Sequence, residues 1–196
     1  QLLAGRTSTL ANAASLARES GLSQTTLRRY LGLLQAVYLL HYQPAWATSY
    51  TKKVTRSPKT LLNDTGLAAH LINIDAARLK SDRKLLGELL ETFVVLELSK
   101  QSGWSEVRAR LHHFRDYSNV EVDVVLERPD GSVAGVEVKV AASVTAKDFV
   151  GLKALQAELG QRFARGVVLY LGDSAVPFGE KLWALPVAAL WGAGGT

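Results

Sequence analysis

Two short segments hold the residue types that could do chemistry: Glu121-Val122-Asp123 and Val136-Glu137-Val138-Lys139. Each lies in a run whose polar and apolar residues alternate as in a β-strand, where successive side chains point to opposite faces. Strict alternation puts Glu121, Asp123 and Glu127 on one face of the first run, with Val120, Val122, Val124 and Leu126 on the other. On the second run Glu137 and Lys139 share a face, opposite Ala134, Val136, Val138 and Val140. Two carboxylates and an ammonium therefore converge on one side of a hairpin. A divalent cation and a water-polarising lysine need about that arrangement to cut a phosphodiester. An acid-x-lysine pattern is also common on a solvated sheet, so the surrounding elements must decide between the two.

Those elements read as follows. Residues 81–101 form one long helix whose Leu85, Leu86, Leu89, Leu90, Phe93, Val94, Leu96 and Leu98 cover most of its circumference, so it is largely buried. Glu91 lies at the border of the polar face with Glu88, and Glu97 falls within the apolar arc. A buried carboxylate needs a partner or a metal, and a salt bridge is the commoner answer. Strands are expected over 111–116, 120–127 and 133–140, the last two joined by the turn Arg128-Pro129-Asp130-Gly131. Thr145-Ala146-Lys147-Asp148 has the form of a capping box and opens a helix with Phe149, Leu152, Leu155 and Leu159 on one face. The wholly apolar run 166–171 suits a strand covered on both faces, and 183–191 reads as a terminal packing segment. The order is α-β-β-β-α-β. His112 and His113 fall on a strand, one to each side, with no second cluster to make a zinc site.

The N-terminal part has a different character. Residues 1–80 carry 10 Lys and Arg against 3 Asp and Glu, a net of +7, whereas 81–196 carry 13 against 15, a net of −2. Such asymmetry points to two modules, with the basic one the better candidate for touching phosphates. Helices are expected from about Asn12 to Ser20 and Gln24 to Leu34, with Gly21 in the turn and Ser23 as cap. Ala17, Gly21 and Leu27 fit the helix-turn-helix pattern. Residues 38–62 then supply a hairpin wing with the basic residues Lys52, Lys53, Arg56 and Lys59. On this reading Arg28, Arg29, Lys52, Lys53 and Arg56 contact DNA. Winged helices also serve as protein joints, in which case these charges only solvate the surface. The boundary between modules is placed at residue 75, giving domains 1–75 and 76–196.

The whole chain of 196 residues has no cysteine, which excludes disulfides and thiolate metal sites and fits a reducing, cytoplasmic interior. No apolar run is long enough to span a bilayer, and there is no signal-peptide pattern. The chain begins at Gln1 and contains no methionine, so part of the natural protein is expected upstream.

The element order, with Asp123 and Glu137-Val138-Lys139 on adjacent strands, resembles the PD-(D/E)XK nuclease fold of type II restriction enzymes and Holliday-junction resolvases. More closely, the chain resembles the C-terminal region of a bacterial and archaeal family of AAA-type ATPases. In that family a P-loop ATPase precedes a winged helix and a nuclease-like domain of unknown function. The stretches carrying the likeness are Arg28-Arg29-Tyr30-Leu31, Ser57-Pro58-Lys59, Asp64-Thr65-Gly66-Leu67, Gly87 with Glu91 and Phe93-Val94, and the two strand motifs. The fold this implies is α/β (α+β): a winged helix-turn-helix followed by a restriction-endonuclease-like domain. By the same resemblance Asp123 and Glu137 would ligate Mg²⁺, or Mn²⁺ in its place. Lys139 would polarise the attacking water or steady the phosphorus, and Glu91 would complete the site. The motif's proline before the first acid is Val122 here. No G-x-x-x-x-G-K-[ST] occurs, so ATP would enter only through an ATPase domain outside these residues.

Three classes of function follow: a Mg²⁺-dependent nuclease on DNA, a non-catalytic DNA-binding module, and an interaction module for the ATPase.

Overall fold

Helix α1, Ala13–Ser20, begins where the Asn12 side chain accepts the Ser15 N–H at 2.9 Å, and it ends at Gly21, whose φ of 70° suits a residue without Cβ. Ser23 then accepts the Thr26 N–H and opens α2, Gln24–Ala36. Leu16, Ala17, Leu27 and Leu31 face inward from this pair and join Leu40, Leu62, Ala68 and Leu89 in one apolar core. The described residues of this computed structural model are 1–47 and 57–192.

By contact density the chain divides into two units. The first holds residues 1–45 and the described part of 49–93. Its three strands, β1 (Thr9–Leu10), β2 (Leu40–Gln43) and β3 (Lys59–Leu62), form an antiparallel sheet in the order β1-β3-β2. Lys52, Lys53 and Arg56, between β2 and β3, lie outside the described residues. Asp64 caps α3 (Thr65–Leu71) and Asp75 caps α4 (Ala76–Ser81). Helix α5 spans Arg83–Trp104, and the division between units falls within it, after Phe93.

The second unit holds residues 46–47 and 94–192 of the described chain. A meander of β4 (Arg110–Arg115), β5 (Glu121–Glu127) and β6 (Val133–Lys139) is antiparallel throughout. A 3-10 turn, Ala146–Phe149, leads into α6 (Val150–Leu159) and then to β7 (Phe163–Tyr170), which pairs parallel with β6. The expected capping box at Thr145 is present. The chain then departs from the expected order. Leu182–Pro186 forms β9, a strand parallel to β7 rather than loose packing, and Val176–Pro177 forms β8 against it. A short helix, α7 (Ala189–Gly192), follows. The sheet order is β4-β5-β6-β7-β9-β8. With a strand on either side, β7 is central, which accounts for its apolar run.

Helix α6 lies close on the meander because two glycines let it. A Cβ on Gly135 of β6 would stand 2.6 Å from Leu152, and one on Gly151 would stand 2.0 Å from the backbone oxygen of Glu121. The second obstacle is backbone and cannot swing away. Gly151→Ala is therefore expected to lower stability by about 1–3 kcal/mol, read as a lower urea midpoint. An unchanged midpoint would mean that α6 tolerates a wider separation. Among the described residues no helix is long and apolar enough to cross a membrane.

Candidate active site

The strand pattern of β5 contains one irregularity that shapes the site. His112 pairs with Val125 and Phe114 with Val122, so β5 spends three steps where β4 spends two. This is a β-bulge, which reverses alternation locally. As a result Val122 and Val125, expected on opposite faces, are buried in the same core with Leu152 and Leu155 of α6. The same shift moves Glu127 off the face it was expected to share with Glu121. Glu121 reaches Arg115 on β4 at 2.9 Å, and Glu127 reaches Arg162 at 3.3 Å.

Asp123, at the bulge, is 8% exposed. The β5–β6 ladder runs from Glu127 opposite Val133 to Val124 opposite Val136. Just beyond it, Asp123 Oδ2 accepts the Val138 N–H at 2.9 Å, so a carboxylate stands where a strand carbonyl would otherwise serve. Val138 sits between Glu137 and Lys139, which ties Asp123 to the second motif. Lys139 Nζ donates to Glu137 Oε1 at 2.7 Å, as expected of neighbours two apart on one face. Glu137 is nearly enclosed, with 12% of its side chain exposed, and Lys139 keeps 34%.

Burial pulls the Lys139 pKa down, but the Glu137 carboxylate, followed by Asp123 and Asp148, more than offsets that and raises it above the ordinary lysine value. At neutral pH the group is an ammonium. It can donate hydrogen bonds and stabilise negative charge, and it cannot take a proton from water. Asp148 is the residue that sequence reading assigned only to a cap. Its Oδ2 does accept from Thr145 N and Oγ1 at 2.7 and 3.0 Å, yet its charge also bears on Lys139. The signal was available: the box directly follows β6, so its acid returns to the strand end.

Glu91 belongs to the first unit, where Lys59 Nζ meets Glu91 Oε1 at 2.5 Å, with 6% and 15% of the side chains exposed. Lys59, expected among the solvent-facing basic residues of the wing, is therefore buried against an acid. Glu97 is likewise held by Lys100 at 2.5 Å. Arg28 and Arg29 are exposed on α2, as expected. Unforeseen is a row of exposed apolar side chains, Tyr30 and Leu33 on the same helix and Val37 at its C-cap, each at least half exposed. His112 and His113 are buried in β4.

Among the described residues no group of three or more His, Asp or Glu is placed to hold a metal. Asp123 and Glu137 offer two carboxylates. That donor set fits Mg²⁺ or Mn²⁺, hard ions that keep several waters, and does not fit a metal enclosed by protein ligands alone.

Residues 86–190 match the model of a domain of unknown function, DUF4143, and residues 1–78 match a second, DUF8612. The chain is similar to the uncharacterised proteins Rv2008c of Mycobacterium tuberculosis and Mb2031c of Mycobacterium bovis. Each is 28% identical over 177 residues, which is 90% of this chain and 38% of the relative. The chain thus spans well under half the length of these curated relatives. No solved structure matches it. With more than half of its residues in the first of these domains, the chain belongs to the DUF4143 family.

Proposed function

We propose that this chain is a nuclease-like, DNA-binding module of a longer AAA-type ATPase, and that Asp123, Glu137 and Lys139 form a Mg²⁺-dependent phosphodiester-cleaving centre. The observation that carries this reading is the Glu137–Lys139 contact at 2.7 Å with Asp123 bonded to the residue between them. Asp123 and Glu137 would hold the cation. The bound cation would supply Lewis acidity at the phosphate. Lys139, held protonated by its acid neighbours, stabilises charge on the phosphate oxygens rather than acting as base. The basic first unit, read as a winged helix, would bring DNA to the module through Arg28 and Arg29. The part of the relatives that this chain does not match has room for the ATPase. Cleavage of plasmid, single-stranded and four-way-junction DNA with Mg²⁺ or Mn²⁺ tests the reading.

The exposed stripe on α2 favours a second reading, in which this helix docks on the ATPase part of the same polypeptide. Tyr30, Leu33 and Val37 recur at the spacing of an anchor face, and exposed apolar rows of this kind mark interfaces. One pair of variants separates the two. If α2 meets DNA, Arg28→Ala/Arg29→Ala weakens binding and lowers the slope of log K against log salt by about 2, while Tyr30→Ser/Leu33→Ser does little. If α2 docks on protein, the second variant loses affinity for the separately expressed ATPase part and the first leaves the DNA salt slope unchanged.

A further inference from the structure

The end of the second unit's sheet remote from Lys139 holds a cleft that the proposed centre does not use. Glu127 and Val133 are register partners at this end, and Arg110 pairs with Glu127. Lys139 lies six residues further along β6, about 20 Å away at 3.3 Å per residue. The cleft has two connected parts. An apolar slot of about 260 Å³ is walled by Leu98 from α5 and by Val107, Leu126 and Val133. It shares Ala109 and Arg128 with a wider cavity of about 690 Å³ that is lined by Arg108, Arg110 and Glu127.

The charges around this mouth do not cancel. Arg108 and Arg110 are exposed and make no ion pair among the described residues. Arg128 meets only the exposed Asp130, at 3.5 Å. Glu127 is engaged by Arg162 at 3.3 Å. Three arginines thus line this mouth with their donors largely unspent. Guanidinium forks match phosphate oxygens in pairs. Beside them stands an apolar slot at the small end of ligand-pocket sizes, with Ser102 in its lining.

We infer that this cleft binds a nucleoside phosphate, with the base in the slot between α5 and the sheet and the phosphate on Arg108, Arg110 and Arg128. The ligand is a free nucleotide or the phosphorylated end of a single strand; the chemistry recognised is the same. The inference goes beyond the proposed function and stands even if the Asp123 centre cuts nothing.

The test uses the full 196-residue chain in EDTA, so that no cleavage intervenes. Calorimetry with AMP, GMP, CMP and UMP reports the free nucleotide. Anisotropy of a 5′-phosphorylated, 3′-labelled ten-nucleotide single strand reports the strand end, with the 5′-hydroxyl strand as its control. Saturable binding of either probe is expected. Arg108→Ala/Arg110→Ala should weaken it at least tenfold. Ser102→Phe, which fills the slot from the helix side without replacing an arginine, should weaken it at least fivefold while circular dichroism stays unchanged. Asp123→Asn should leave affinity within twofold, which separates this site from the proposed centre. Preference for the nucleotide assigns the free ligand, and preference for the 5′-phosphorylated strand assigns the strand end. Binding that Ser102→Phe leaves intact, or that inorganic phosphate displaces as well as AMP does, would overturn the inference, because the arginines would then be taking any anion. Absence of binding by both probes would overturn it as well.

Discussion

Glu137→Gln is expected to remove metal-dependent DNA cleavage by about 10³-fold or more, equivalent to about 4 kcal/mol of transition-state stabilisation, while DNA affinity in EDTA changes less than twofold. Glutamine keeps the shape and one acceptor oxygen but not the charge. It therefore weakens a hard cation's site and also removes the acid that most raises the Lys139 pKa. Lys139→Met divides these effects. It leaves both carboxylates, so Mn²⁺ binding read by calorimetry should persist, whereas cleavage should fall by a similar factor. Loss of Mn²⁺ binding in Glu137→Gln but not in Lys139→Met would assign the roles as proposed. Equal cleavage by wild type and Glu137→Gln would locate any activity elsewhere and end the nuclease reading of this cluster.

The parts of this molecule that were legible in its sequence are those where one local rule acts without competition. Ser23 caps α2 because a short oxygen-bearing side chain has little else to bond at a helix start, and Gly21 ends α1 because it tolerates a positive φ. The pairing of Glu137 with Lys139 also follows from alternation alone, since β6 pairs with β7 in unbroken register from Ala134 to Lys139. What escaped were features set by a partner strand or by distant packing. The β5 bulge is invisible in the string Glu-Val-Asp-Val-Val, because it exists only in the mismatch with β4. Strand β9 reads as terminal packing because Leu182-Trp183-Ala184-Leu185-Pro186 is apolar throughout and only its pairing with β7 makes it a strand. Lys59 looked solvated because basic residues cluster before it, and its partner lies 32 residues later on another element. Tyr30, Leu33 and Val37 were overlooked because the buried stripe of α2 already satisfied the helical pattern, and a second apolar row does not alter the period.

The same Lys59–Glu91 pair gives the second large effect. Lys59→Met leaves the Glu91 carboxylate in a setting where only 15% of it reaches solvent. Breaking a buried pair on one side costs about 3–5 kcal/mol, so the variant should lose a large part of the first unit's stability in urea. The double change Lys59→Met/Glu91→Leu should recover most of that loss, because a buried ion pair replaced by apolar residues of similar volume is often neutral or better. The comparison also decides what Glu91 does. If its carboxylate serves only to hold Lys59, the double variant keeps whatever DNA cleavage the wild type shows. If Glu91 belongs to the cutting centre, as the family resemblance implies, the double variant is stable and inactive. Stability and activity move independently under the second outcome and together under the first, so a urea melt and a cleavage assay on the same three proteins separate a structural acid from a catalytic one.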